Sequence, residues 1–293
     1  MGSARRLIRA LFVTLAALLP LVAAAEPAAW RLAGRNGGEV TLLGSIHVLR
    51  QSDYPLPAEV DALYARADDL VMEIDLDDLD PSALQSGLIA AAALPQGKTL
   101  RDVLDPGVYR LAEQHAGAIG LPLAVLERME PWFISIALLD EGLRRQGFRA
   151  DLGLEQYVLG KARADRKPIE GLETLEAQVA IFDELPLGSQ QALLEQTIRE
   201  IDTAEDTLAE LAAAWRDGRL DELSAQLIGE FDDFPGLYDA LITNRNRRWL
   251  PAIERMLGDG RRHLVIVGAV HLVGDNGVVE MLRARGHGAE RVH

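Results

Sequence analysis

Apolar runs stand near both ends of the chain, and helical spacing of apolar residues fills the part between them. The runs at 40–46, 70–74 and 264–267 are almost continuous in Val, Ile and Leu, which is typical of strands covered on both faces of an α/β sheet. From about 81 to 229, apolar residues recur every three or four positions between Pro or Gly breaks, which predicts helices. The sequence therefore predicts an α/β fold with a central mixed β-sheet built from both chain ends and a long helical middle segment.

Turn-forming residues position the shorter elements. The segment Gly-Arg-Asn-Gly-Gly at 34–38 predicts a tight hairpin between a first strand and the run at 40–46. We expect a short strand at 167–173 and a last strand toward Val292. His263 precedes an apolar run, and we expect it in a loop.

Two of the predicted strands end in the same pattern, Gly-x-x-His. The first closes on Gly44 and His47, and the second on Gly268 and His271. Sheets of this class bind ligands beyond the carboxyl ends of their strands, glycine there permits close approach, and imidazole can bind a metal or move a proton. Either histidine alone could simply cap its strand, but the repeat in a chain with 6 His favours a functional site.

Two glutamates fall in strand-like segments. Glu73 lies inside an apolar run, where a buried carboxylate must be paired, hydrated or bound to a ligand. The other interpretation of Glu73 is a solvated strand end that leads into an acidic run. If these strands are neighbours, His47, Glu73 and His271 lie within reach of one another, with Glu173 as a fourth contributor.

Arg245 and Asn246 lie in the helix that we expect at 235–257. Basic residues late in a helix complement its dipole. Alternatively, Arg245 or Asn246 faces the acidic site and donates a hydrogen bond to a carboxylate or to the substrate. We therefore regard both as candidate substrate-binding residues.

Charge and targeting signals narrow the class of protein. The formal net charge is −15, which argues against nucleic acid as a partner because such a surface repels polyphosphates. Residues 1–25 combine three arginines, an apolar segment and a small-residue cleavage site, which predicts a signal peptide, so 26–293 is the expected mature α/β domain. We expect a periplasmic or secreted protein with no membrane anchor after cleavage, and one that folds without disulfides because it has 0 Cys.

Two histidines with one or two glutamates suit two kinds of chemistry. They are a frequent ligand set for a divalent transition metal that keeps a position open for water. The metal acidifies that water, and a nearby glutamate can serve as general base. Without a metal, one histidine polarised by a glutamate could activate water for ester or amide hydrolysis.

Five segments occur in an order that matches a known family. They are Leu-Leu-Gly-Ser-Ile-His at 42–47, Val-Met-Glu-Ile-Asp at 71–75, Gly-Leu-Glu-Thr at 171–174 with Gln178, Arg245-Asn246 with Trp249, and Val-Gly-Ala-Val-His-Leu-Val-Gly at 267–274. Together they resemble the TraB/GumN family, whose relatives include the Tiki metalloproteases. The resemblance implies an α/β fold shared with erythromycin-esterase-like and ChaN-like proteins and, in the Tiki branch, proteolysis that depends on a divalent metal.

Carried over by position, the resemblance implies His47 and His271 as metal ligands, with Glu73 and Glu173 as ligand or general base. The esterase-like relatives imply instead that His47 and Glu73 form a water-activating pair. One departure is Glu155, in Gly-Leu-Glu-Gln-Tyr at 153–157, where the family pattern has Asp. This longer acid could shift a ligand or lie outside the innermost shell of the site.

The combined expectation is an exported hydrolase that depends on a divalent transition metal (Mn, Co or Zn) and is foremost a peptidase with peptide or protein substrates. The alternatives are a metal-independent, esterase-like hydrolase that uses His and Glu, and a non-catalytic periplasmic binding protein for a peptide, haem or a metal.

Overall fold

The computed structural model describes residues 27–75, 77, 81–201, 204–229, 231 and 235–292. The predicted signal peptide at 1–25 lies outside these ranges. Within them, no helix has both the length and the apolar character needed to cross a bilayer.

A six-stranded mixed sheet forms the centre of the described chain. Its strands are β1 Ala29–Ala33, β2 Glu39–Ser45, β3 Asp69–Ile74, β4 Ile169–Glu173, β5 Arg262–Gly268 and β6 Ala289–Arg291. They follow the order β4-β3-β5-β2-β1-β6, in which β4, β3, β5 and β2 are mutually parallel and β1 is antiparallel to β2 and to β6. The predicted α/β class and the sheet built from both chain ends are confirmed.

The hairpin between β1 and β2 turns where the sequence predicts. Asn36 and Gly37 adopt φ values of 56° and 80°, in the left-handed region that Asn and Gly tolerate best. β1 then lies between β2 and β6, so the first and last described strands pair with each other.

Helices cover the sheet and fill the middle of the chain. They are α1 Ala58–Arg66, α2 Pro81–Ala91, α3 Leu100–Val103, α4 Pro106–Ala118, α5 Pro131–Arg145, α6 Leu154–Asp165, α7 Leu175–Asp183, α8 Leu187–Glu200, α9 Ala204–Arg216, α10 Leu220–Gly229, α11 Pro235–Tyr238, α12 Asn244–Met256 and α13 Val278–Ala284. A π-helical segment, Asp239–Thr243, joins α11 to α12.

Two hydrophobic clusters stabilise the described chain. The larger one contains the strand residues of the sheet together with apolar residues of α6, α9, α12 and α13. In this cluster Trp215 is 1% exposed, and its indole Nε1 donates to the carbonyl of Gly44 at 2.7 Å. The smaller cluster lies among α4, α5 and α8 and includes Ala112, Ile134 and Leu194. The helical middle of the chain thus has a core of its own beside the sheet.

His263 is a correction to the loop position expected from the sequence. It lies in β5, 5% exposed, with Nδ1 at 2.7 Å from Asp69 Oδ1 and Nε2 at 3.0 Å from Asp259 Oδ2. Asp69 is opposite His263 in the register of β3 and β5, and this pairing makes a polar residue tolerable at a buried strand position.

Candidate active site

The predicted site residues meet at one edge of the sheet. His47 follows β2, Glu73 lies near the end of β3, Glu173 is the last residue of β4, and His271 follows β5 in a short 3-10 turn. These four strands are parallel neighbours, so their carboxyl ends lie at the same edge, where α/β sheets bind ligands.

Glu73 is the most connected carboxylate of this edge. Its Oε1 accepts from the backbone N–H of Gly268 at 2.8 Å, and its Oε2 accepts from Gln178 Nε2 at 3.0 Å and from Arg245 Nη2. The Glu73 side chain is 13% exposed. The structure therefore pairs this carboxylate, and it is not a solvated strand end.

Arg245 reaches the site from the first turn of α12. Its Nε donates to Glu173 Oε1 at 2.9 Å, and its Nη2 bridges Glu73 and Glu173. The guanidinium also lies 4.9 Å from the centre of the Trp249 ring, one helical turn further along, and Trp249 Nε1 donates to Glu173 Oε2 at 3.2 Å. Both oxygens of Glu173 are thus occupied by groups from α12.

His271 is held in one neutral tautomer by its neighbours. Asn246 Nδ2 donates to the carbonyl of Asn276 at 2.7 Å, which leaves Asn246 Oδ1 as the acceptor for His271 Nδ1–H at 2.7 Å. Arg245 Nη1 stands 3.0 Å from His271 Nε2, and since arginine only donates, this Nε2 is the acceptor. His271 is 2% exposed.

His47 forms a separate pair with Glu155, the second residue of α6. His47 Nδ1 is 2.6 Å from Glu155 Oε1, and the hydroxyl of Ser45 donates to the same oxygen. His47 exposes 63% of its side chain, whereas Glu155 exposes 15%. Glu155 therefore anchors an imidazole that stands at the mouth of the site.

A small cleft opens between this pair and Glu73. Its volume is about 210 Å³, and its lining includes His47, Met72, Glu73, Glu155 and Gln178. Gly268 lies beside both groups, because a side chain there would begin 3.0 Å from His47 Nε2 and 3.5 Å from Glu73 Oε1. The absence of a side chain at Gly268 lets both of these atoms lie close to the backbone of β5.

The electrostatics differ sharply between the two histidines. Attraction to Glu155 is the main cause that raises the pKa of His47 to about 9, against the effect of burial. Protein surrounds His47 on several sides, yet 63% of its side chain remains open, so water screens part of this attraction. Burial, the dominant cause, and the charge of Arg245 instead lower the pKa of His271 to about 3.

The carboxylates of the cleft are ionised at neutral pH. Burial acts to raise the pKa of Glu73, but attraction to His271, His47 and Arg245 outweighs it and brings the value to about 2. Because His271 is itself neutral near pH 7, the charges that act on Glu73 there are those of Arg245 and His47. The pKa of Glu155 is likewise lowered, because attraction to His47 and hydrogen bonds outweigh the effect of burial.

The structure brings the four predicted histidines and glutamates to one edge, whereas the two predicted substrate-binding residues, Arg245 and Asn246, are buried. Arg245 is 6% and Asn246 0% exposed, and both bind protein groups of the site. Arg245 lies midway along the continuous helical run from 235 to 256, so of the two interpretations, a position late in the helix or donation to a carboxylate, the structure has the second. The side chain of Glu173 is 6% exposed, and its carboxylate accepts hydrogen bonds from Arg245 and Trp249 of α12.

Sequence reasoning did not place Glu155 among the site residues. The sequence feature that pointed to Glu155 was the segment at 153–157, whose first residue, Gly153, directly precedes α6. A side chain at Gly153 would begin 2.2 Å from the carbonyl oxygen of His47. The glycine therefore lets α6 begin directly against the end of β2, which brings Glu155 to the imidazole.

The fit of this site to a divalent metal is incomplete. Its donors have suitable chemistry, since both histidines have Nδ1 held and Nε2 directed to the site, as metal-bound imidazoles do. However, among the residues that the structure describes, no three His, Cys, Asp or Glu are arranged to hold a metal ion. Arg245 Nη1 takes the His271 Nε2 lone pair, and His271 Nε2 is 3.8 Å from Glu73 Oε1. The three predicted ligands do not form a metal site in this arrangement.

Comparison with known proteins identifies the family. A model of the TraB/PrgY/gumN family matches residues 28–291. The uncharacterized protein YbaP of Escherichia coli (strain K12) is 27% identical over 242 residues, which cover 83% of this chain and 87% of YbaP, and YbaP of Shigella flexneri gives the same values. No solved structure matches the chain significantly. The family match spans nearly the whole of the described chain, and with it the resemblance predicted from the five sequence segments is confirmed: the protein belongs to the TraB/PrgY/gumN family.

Proposed function

We propose that this protein is a hydrolase of ester or amide bonds and that the cleft between His47 and Glu73 is its catalytic centre. The observation that carries the proposal is the cleft that His47 and Glu73 line together, with His47 Nε2 and Glu73 Oε1 within 3.0 and 3.5 Å of one point beside Gly268. A substrate group in this cleft would meet a proton donor and a carboxylate at once, and such mutual geometry is the requirement for acid–base catalysis.

The roles of the two groups follow from their charges. His47 has a raised pKa of about 9, so near pH 7 its Nε2 carries a proton and can donate it to the leaving group as the bond to the carbonyl carbon breaks. Glu73 Oε1 accepts one hydrogen bond, from Gly268, and has a lone pair left to orient the attacking water. The water transfers a proton to Glu73, and Glu73 passes it on to His47. This transfer restores the starting protonation state of both residues.

Glu155 acts on this reaction through His47. It fixes the ring through Nδ1 at 2.6 Å, and its negative charge favours the protonated ring. Ser45 in turn orients Glu155. This arrangement of acid, imidazole and orienting hydroxyl preorganises Nε2 toward the cleft. The sequence predicted a pair of His47 and Glu73. A second carboxylate, that of Glu155, binds the opposite side of the His47 ring.

A metal-dependent peptidase is the second candidate function. The observation that favours it is the held Nδ1 of each histidine, by Glu155 and by Asn246, which is the usual support of metal-bound imidazoles. A bound Mn, Co or Zn ion would acidify water and polarise the substrate carbonyl. His47 and Glu73 would hold it, whereas the Nε2 of His271, the third predicted ligand, is occupied by Arg245.

We further propose that peptides or proteins are the substrates and that the chain acts after export, in the periplasm or outside the cell. The basis for export is the signal-like segment at 1–25. A cleft of about 210 Å³ admits one small side chain or acyl group rather than a folded domain, so an extended or unfolded segment of a polypeptide suits it.

The direct test is a panel of chromogenic esters and fluorogenic peptides, applied to the wild type, His47→Ala and Glu73→Gln. We expect at least one substrate to be hydrolysed by the wild type, with a loss of about 10²-fold or more in each variant. The matched control is His287→Gln, since His287 also pairs with a glutamate, Glu254, at 3.3 Å, but away from the cleft. Hydrolysis that survives His47→Ala, or no hydrolysis across the panel, contradicts the proposal.

Metal content separates the two candidates. Protein purified without chelators is analysed by inductively coupled plasma mass spectrometry and then assayed before and after dialysis against a chelator. Activity that persists without metal supports proton transfer by His47. Activity that disappears and returns with Mn, Co or Zn supports the second candidate.

A further inference from the structure

Arg245 contacts both buried glutamates of the site and the imidazole of His271. It donates to Glu73 and Glu173, to the carbonyl of Leu241 at 3.1 Å, and it stands 3.0 Å from His271 Nε2. Its side chain is 7% exposed. The guanidinium is therefore a fully ligated cation, with two carboxylates and an imidazole around it.

A divalent ion at His271 would need the position of this guanidinium. Nε2 has one lone pair, and that lone pair already accepts from Arg245 Nη1. An ion bound there would also stand next to a permanent positive charge in a site shielded from water, where repulsion between cations is strong. Displacing Arg245 would in addition leave Glu173 buried without its charge partner, which is costly.

The outer histidine has the opposite surroundings. His47 is hydrogen-bonded through Nδ1 to Glu155, its Nε2 lies beside Gly268, its ring lines the cleft, and 63% of its side chain is open to solvent. The two Gly-x-x-His motifs thus deliver histidines of unequal accessibility, although their sequence patterns are the same.

We infer that Arg245 is the resident cation of the site: it takes the place of a metal at His271 and bridges Glu73 and Glu173, so that His47 alone exchanges protons or ions with the cleft. His271 is then a positioning residue, which holds Arg245 against Glu73. This inference concerns the same cleft as the proposed function and rests on it in that respect alone. Its test is independent of hydrolysis, because metal binding is measured without substrate.

The experiment is a titration with Co²⁺, whose visible absorption reports the ligands around it. Wild type and His271→Gln should bind Co²⁺ with affinities that agree within about threefold, since His271 contributes no ligand. His47→Gln should remove whatever binding the wild type has. The matched control is Arg248→Gln, because Arg248 lies on the same helix but is exposed, and it should leave the titration unchanged.

A gain-of-binding variant gives the reverse test. Arg245→Gln combined with Glu173→Gln removes the cation and one carboxylate together, so that the net charge of the cluster is unchanged and Glu73 keeps its negative charge for the ion. This double variant should bind one Co²⁺ at least about tenfold more tightly than the wild type, because a nearby like charge has been removed. Adding His271→Gln should abolish the gain.

Two results overturn the inference: a loss of tenfold or more in Co²⁺ affinity for His271→Gln in the wild-type background, or a folded double variant that binds no more tightly than the wild type. Should the double variant fail to fold, the ¹⁵N NMR shifts of His271 in the wild type decide. Its Nε2 should stay unprotonated from about pH 5 to 8 and should not move when Zn²⁺ is added. A Zn²⁺-dependent shift of His271 Nε2 refutes the assignment, whatever the outcome of the hydrolysis assay.

Discussion

Glu155→Gln is the most informative single change, because it removes the charge that controls His47 and keeps the shape of the side chain. In the wild type, attraction to Glu155 raises the pKa of His47 from 6.5 to about 9. A His whose pKa is higher in the folded state stabilises the fold fully below the unfolded value, here about pH 6.5. This stabilisation is lost as the pH rises through the folded value.

The size of the effect can be worked out from the structure. A shift of this extent would correspond to about 3 kcal/mol for a group shielded from water, but His47 exposes 63% of its side chain, and solvent screening reduces the contribution to about 1 kcal/mol. We therefore expect the free energy of unfolding of the wild type, relative to Glu155→Gln, to fall by about 1 kcal/mol between pH 6.5 and 9.5. The difference in thermal midpoint should narrow by about 2–4 °C over the same range.

Urea unfolding at several pH values measures this difference, and NMR titration of the His47 ring measures the pKa directly. The His47 pKa should lie well above 6.5 in the wild type and drop by about one unit or more in Glu155→Gln. Glu254→Gln, which removes the partner of His287 outside the cleft, is the control and should leave the pKa of His47 unchanged. A wild-type pKa of about 6.5, or the same pKa in wild type and Glu155→Gln, would refute the proposed control of His47 by Glu155.

Three further substitutions test the framework of the site. Gly153→Ala places a methyl group 2.2 Å from the backbone oxygen of His47 and should cost about 1–3 kcal/mol of stability and displace the imidazole; an unchanged unfolding midpoint would contradict this. Trp215→Phe removes the bond to Gly44 and should cost about 1 kcal/mol in urea unfolding, and a loss under a few tenths would mean that another donor takes its place. Glu173→Gln leaves a buried guanidinium with one carboxylate fewer and should cost about 3 kcal/mol, whereas a neutral result would show that the guanidinium finds another partner.

The strands and their chemistry were readable from the sequence because their signals are local. Continuous apolar runs predicted three of the four parallel strands, and the glycines and histidines that follow two of them marked the edge where the candidate site lies. The order of the strands was not readable, since hydrogen-bond partners of β-strands are set by contacts between distant parts of the chain. His263 shows this limit: it looked like a loop residue because its partner Asp69, on β3, is not visible from the sequence around it.

The same limit explains what was missed at the site. Glu155 belongs to the site because α6 starts against the end of β2; the segment at 153–157 drew attention to Glu155, but it did not give its contact with His47. Donation from Arg245 to a carboxylate was one of the alternatives that the sequence offered, but its contact with His271 required the relative positions of α12 and β5. Periodicity predicts which face of a helix is buried, and not which residue of another element lies opposite.

The position of β5 in the middle of the sheet has a consequence for how the protein folds. β5 supplies His271 and sits between β3 and β2, which hold Glu73 and precede His47, so the centre of the sheet cannot close until the C-terminal part of the chain is available. Contacts between such distant segments form late and slowly in folding, whereas the helical middle segment can begin to fold from local contacts. An incomplete chain would therefore have helices but no assembled candidate site, and this site would form only in the last step of folding.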